Sequence, residues 1–107
     1  MAFVYLLCDS GQENTYKIGV TRGKIEKRIK QLQTGNAGEI TLLKYHETDY
    51  PFFLEKSLHS KFKNKQINNE WFMLELDDIS KFNEHCLMIE EIAKSLEDNP
   101  FANKILK

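Results

Sequence analysis

Five side chains of types that suit phosphodiester hydrolysis stand out: Tyr5, Lys17, Arg28, Glu55 and His59. That reaction needs an in-line water, a base for its proton, positive charge on the phosphoryl oxygens and help for the leaving oxygen. Tyr5 could accept the water's proton if nearby positive charge lowered its pKa from the ordinary value of about 10, and Lys17 could supply that charge. Arg28 could grip a phosphate with its planar fork. Glu55 could hold a hard divalent cation, because Mg²⁺ is commonly bound by one or two carboxylates plus waters and substrate oxygens. His59, one turn after Glu55, could donate to the phosphate or orient Glu55. Each residue also has an ordinary role: a packed strand tyrosine, an exposed strand lysine, an arginine paired with Glu26, a solvated helix edge.

These side chains converge only if the right elements carry them. Residues 2–8 are β-branched and aromatic and read as a strand, with Phe3, Tyr5 and Leu7 on one face and Val4, Leu6 and Cys8 on the other. Asp9-Ser10-Gly11 and Asn14 supply turn chemistry, and residues 16–20 read as the strand paired with the first. Lys24 to about Gln33 reads as a helix whose apolar stripe is Ile25, Ile29 and Leu32, with Arg28 at its border and Thr34-Gly35 as a stop. A third strand is predicted over Glu39–Glu47, with Ile40, Leu42 and Lys44 alternating against Thr41, Leu43 and Tyr45. Pro51 suits the first turn of a second helix that buries Leu54, Leu58 and Phe62 and carries Glu55 and His59 at the edge of that face. Glu70–Leu74 reads as a short extended segment. A final helix is predicted over 78–97, with Asp77 or Asp78 as N-cap and a seam of Ile79, Phe82, Cys86, Ile89, Ala93 and Leu96.

The composition suits one soluble domain: 107 residues, 41% hydrophobic and 29% charged. No apolar run approaches the roughly 20 residues that span a bilayer, and no basic stretch precedes the short apolar run at the start. Cys8 and Cys86 lie in no metal-like spacing and read as free thiols of a reducing, cytoplasmic compartment. Net charge is only −1, but it is unevenly distributed. Between positions 17 and 30, six basic residues face Glu26 alone; between 75 and 98, eight acidic residues face two lysines. A basic front and an acidic back fit a protein that presents one surface to a polyanion. Arg22, Lys24, Lys27 and Lys30 are the candidate phosphate contacts.

Taken together, the motifs resemble those of the GIY-YIG nuclease superfamily, and most nearly its T5orf172-type branch. The carrying residues are Val4-Tyr5-Leu6-Leu7, Lys17-Ile18-Gly19, Glu26-Lys27-Arg28, Thr34-Gly35, Leu54-Glu55-Lys56-Ser57-Leu58-His59 and Glu70-Trp71-Phe72, over about residues 3–74. The resemblance implies an α+β fold with a small three-stranded antiparallel sheet flanked by helices. It assigns a nuclease core to 1–75 and leaves 76–107 as a helical extension packed on it. It also implies a cut of DNA with one Mg²⁺ or Mn²⁺, Tyr5 as base, Lys17 and Arg28 on the phosphate, Glu55 on the metal and His59 in support. Gly19 lets the backbone pass close to the site. The sequence departs from the superfamily pattern at Phe3, in place of the first glycine, and at Lys17, in place of the second tyrosine. Asn69 or Glu70 occupies the region where many superfamily members carry an asparagine. Two further readings stand beside the endonuclease: a nucleic-acid-binding module that does not cut, and an interaction domain that binds a protein partner or a second copy through its acidic last helix.

Overall fold

The computed structural model describes residues 2–101. Two long strands, β1 (Phe3–Asp9) and β2 (Gln12–Thr21), form an antiparallel hairpin. Helix α1 (Ile25–Gln33) leads to β3 (Ile40–Glu47), which pairs with the other edge of β1. Helix α2 (Pro51–Lys61) and a single 3-10 turn (Lys63–Lys65) lead to the miniature hairpin of β4 (Gln66–Asn68) and β5 (Trp71–Met73). Helices α3 (Leu76–Ser80) and α4 (Phe82–Glu97) close the chain.

The sheet therefore has five strands in the order β3-β1-β2-β5-β4, all antiparallel, rather than the three expected. The extended segment expected over Glu70–Leu74 is β5, while β4 escaped notice because three residues are too few to show alternation. The turn joining them rests on Asn69, whose φ of 32° lies in the left-handed region that asparagine tolerates better than most residues. β2 also begins at Gln12 rather than 16, so the hairpin turn is tighter than the sequence suggested. The single helix expected over 78–97 is broken at Lys81 and starts at Leu76. Glu75 occupies the N-cap position, and its backbone N–H donates to Asp78 at 3.0 Å, so Asp78 closes the first turn from inside instead of capping it. The last six residues of the extension expected at 76–107 lie outside the described residues.

Strand alternation sorts the core into two layers. Val4, Leu6 and Ile18 face α2 and α4, where Leu54, Leu58, Phe62, Phe72, Phe82 and Cys86 complete the larger cluster. Tyr5 and Leu7 face the opposite way and are covered by Ile29 and Leu32 of α1, with Ile40, Leu42 and Trp71 alongside. The basic helix and the acidic helix thus lie on opposite faces of the sheet. A β-bulge shifts the β1–β3 register: Leu6 pairs with Lys44 but Leu7 with Leu42, leaving Leu43 unpaired. The simple alternation expected for β3 is broken there, and Tyr45 comes round to pair with Tyr5.

A polar latch fixes the far end of α1. Asn36 donates to Asp9 at 3.2 Å and to the Gly38 carbonyl at 2.8 Å, while Gln33 donates to Gly38 and accepts from the Ile40 N–H, both at 2.8 Å. Asp9 is almost fully buried and also accepts from the Gly11 N–H at 2.9 Å. The latch ties α1 to the β1–β2 turn and so fixes the helix that carries Arg28.

Candidate active site

The site is built around Gly19, which pairs with Tyr5 in the central strands. A Cβ at Gly19 would lie 2.6 Å from the Tyr5 hydroxyl oxygen and 2.7 Å from Cζ, so the tyrosine ring occupies the space that any side chain there would need. Tyr5 is 1% exposed. From α1, Arg28 Nε donates to the Tyr5 hydroxyl oxygen across 3.4 Å. Arg28 itself is half-buried at the edge of the apolar stripe.

Lys17 lies two residues before Gly19 on the same face. Its ammonium is 3.2 Å from a Glu70 carboxylate oxygen and 5.8 Å from the centre of the Trp71 ring. Glu70 is placed by the β4–β5 turn, where its carbonyl accepts the Ile18 N–H at 3.0 Å just as the β2–β5 pairing ends. The side chain that reaches the site from this turn is thus Glu70, while Asn69 supplies the strained turn position and is exposed.

Glu55 approaches from α2, half-buried. Burial, then the hydrogen bond and charge of Glu70, raise its pKa from 4.5 to about 7, against the opposing pull of Lys17. Tyr5 is also raised above its ordinary value. Burial is the main cause, Glu70 and Glu55 add to it, and the Arg28 hydrogen bond and charge work against it. The expectation that Lys17 draws the Tyr5 pKa down is therefore corrected: the Lys17 charge is engaged by Glu70, and the cation acting on Tyr5 is Arg28. Tyr5 and Arg28 are joined by a hydrogen bond, Lys17 and Glu70 by an ion pair, and Glu55 lies near enough to feel Glu70 and Lys17, so the five share one notch at the end of the β2–β5 pairing.

His59 stands apart from that group. Its Nε2–H donates to the Ile18 carbonyl at 3.0 Å, and its ring packs on Phe72 with centroids 4.9 Å apart. It pins α2 to β2 between Lys17 and Gly19, which sets the height of Glu55 instead of reaching the notch itself. Arg22, Lys24, Lys27 and Lys30 are all exposed along α1 and the loop that enters it. Arg22 also lies over the Phe52 ring at 5.0 Å.

The donor set suits a hard divalent cation. Burial first, and the neighbouring Glu70 second, raise the Glu55 carboxyl to about 7, a cost to the charged form that a bound cation relieves. Among the described residues no cluster of three or more His, Cys, Asp or Glu side chains forms a closed cage. A pair of carboxylates with open positions fits Mg²⁺, which keeps most of its waters. Sequence reasoning placed Glu70 near the site but gave it no partner; an acid directly before the aromatic pair Trp71-Phe72 was the available signal.

A family model described as the T5orf172 domain matches residues 2–87. The matched span runs past the motifs read over 3–74 and takes in the first turns of α4, whose Phe82 and Cys86 belong to the main core cluster. No curated protein and no solved structure matches the chain significantly.

Proposed function

From the premise that the chain belongs to the T5orf172 domain family, a nuclease-like family, we propose that it is a metal-dependent DNA endonuclease that hydrolyses phosphodiester bonds. The observation that carries this reading is the gathering of Tyr5, Arg28, Lys17 and the Glu55–Glu70 pair around Gly19, beside the exposed basic surface of α1. Arg28 holds the Tyr5 hydroxyl with Nε, which leaves its terminal N–H groups for a non-bridging phosphate oxygen. Tyr5, ionised as the phenolate with Arg28 stabilising that charge, takes the proton of the attacking water and becomes the neutral phenol. Lys17 shares its charge between Glu70 and the incoming phosphate. Mg²⁺ or Mn²⁺ held by Glu55, with Glu70 beside it, would supply Lewis-acid charge to the phosphoryl and leaving oxygens. Arg22, Lys24, Lys27 and Lys30 hold flanking phosphates without reading sequence.

Nicking of supercoiled plasmid in Mg²⁺ or Mn²⁺ tests the proposal. Glu55→Ala and Tyr5→Phe should each lower the rate by about 10²–10⁴-fold, the usual contribution of a positioned base or charge. Equal rates for wild type and Glu55→Ala would refute catalysis at this notch. A second reading is favoured by one observation: Tyr5 is 1% exposed, and burial disfavours the phenolate that a base would need. On that reading the scaffold binds nucleic acid without cutting it, and wild type would bind with steep salt dependence but never nick.

A further inference from the structure

We propose that the hollow bounded by Phe3, Tyr45 and Leu42 on the sheet and by Arg22, Lys24 and Ile25 at the start of α1 receives an unstacked nucleobase. The inference deepens the nuclease reading by naming the form of nucleic acid that the same site takes: single-stranded, frayed or locally unpaired. The hollow has a volume of about 440 Å³, within the roughly 300–1,000 Å³ of small-ligand pockets.

Its walls are apolar and aromatic where a base would lie and cationic where phosphates would lie. Tyr45 is 55% exposed, unusual for a large aromatic ring on a covered sheet face, and Phe3 supports it edge-on with centroids 6.1 Å apart. Ile25 and Leu42 form the floor. Arg22 and Lys24 stand at the rim, and Glu26 adds one acceptor. The β3 bulge creates this arrangement by bringing Tyr45 to the same side as Leu42.

Position supports the occupant. Tyr45 pairs directly with Tyr5, and Phe3 is two residues from Tyr5 on the same face, so the hollow begins about 7 Å along the strand from the candidate base. That is within the reach of one nucleotide whose phosphate rests at Arg28. Bases inside a duplex have both faces covered, so only an unstacked base can lie on the Tyr45 ring. The ring is sequence-tolerant because every base has a π-face.

Fluorescence anisotropy in EDTA, which reads binding apart from cleavage, tests this with a labelled oligothymidylate and a blunt duplex of equal length. Wild type should bind the single strand more tightly than the duplex. Tyr45→Ala should weaken single-strand binding by about five- to 100-fold, the range for loss of one stacked base, with duplex binding unchanged. Tyr45→Phe, which keeps the ring, should bind like wild type and shows that the effect is stacking. Equal single-strand affinity in wild type and Tyr45→Ala, or no measurable binding of the single strand, overturns the proposal. Nicking with a neutral Tyr45→Ala would leave the nuclease reading standing without the base site. Loss of single-strand binding in Tyr45→Ala without any nicking by wild type would leave the base site standing without the nuclease.

Discussion

Replacing Glu55 with glutamine should stabilise the protein at alkaline pH and leave it nearly unchanged at acid pH. The carboxyl is half-buried beside Glu70, and burial together with that neighbour raises its pKa from 4.5 to about 7. Folding thus favours the protonated form. Its stabilising contribution is fully present below the unfolded value of 4.5 and is lost as pH rises through about 7. At about 1.4 kcal/mol for each pH unit, the interval sets an upper bound of about 3 kcal/mol. Partial exposure to solvent screens this to about 1–2 kcal/mol, still a sizeable part of a typical domain's 5–15 kcal/mol. Glutamine has the same shape and is neutral throughout. In urea unfolding with EDTA, the Glu55→Gln protein should match wild type near about pH 4 and exceed it by about 1–2 kcal/mol near about pH 8. Groups common to both proteins cancel in that difference. Mg²⁺ added at the higher pH should stabilise wild type and not the variant. A difference that stays flat with pH, or metal stabilisation equal in both proteins, would refute the argument that Glu55 is held against its preference to serve a cation.

Four further outcomes follow from the geometry. Gly19→Ala places a methyl 2.6 Å from the Tyr5 hydroxyl oxygen, so it should cost about 1–3 kcal/mol in thermal or urea unfolding and abolish nicking. Because burial raises the Tyr5 pKa above 10, nicking by wild type should still be climbing with pH at about pH 9, and a plateau below that would remove Tyr5 as the base. Asp9→Ala opens the latch to Asn36 and Gly11 and should lower the urea midpoint by the equivalent of about 2 kcal/mol, with nicking reduced through a loosened α1. Cys86 is buried and its thiol is pushed up to about 12, so it should react with a thiol reagent only on unfolding, as a stopped-flow assay would show.

The long elements were legible because their patterns are long. The faces of β1, the stripe of α1 and the buried side of α2 each repeat enough to fix which residues point inward, and the structure puts them there. Tyr5, Arg28 and Glu55 could be brought toward one notch on that basis. What the sequence concealed is local or cooperative. β4 is three residues long, and its pairing with the extended segment at 71–73 depends on a turn at Asn69. The break at Lys81 interrupts an otherwise continuous helical seam. Most telling is the unpaired Leu43: one extra residue moves Tyr45 to the Tyr5 side, while two-residue alternation groups it with Thr41 and Leu43. Pairing of Lys17 with Glu70 was likewise hidden, since it needs the β5 register that brings positions 17 and 71 together.

That pairing bears on why the basic surface and the candidate notch are separate features. With both acids ionised, Glu55 and Glu70 balance Lys17 and Arg28, so the notch offers an approaching phosphodiester no net attraction of its own. On the nuclease reading encounter would be driven from elsewhere, and Arg22, Lys24, Lys27 and Lys30 are exposed on the α1 side to do it. The acidic α4 lies across the sheet, where on that reading it would repel a polyanion from that face without opposing it on the α1 side. On the same reading, above the Glu55 pKa of about 7 the notch would be neutral until a cation joined it, and would give up nonspecific phosphate affinity. It would gain in return a requirement that metal and substrate be present together before Lys17 and Arg28 had a surplus of positive charge to place on the reacting phosphate.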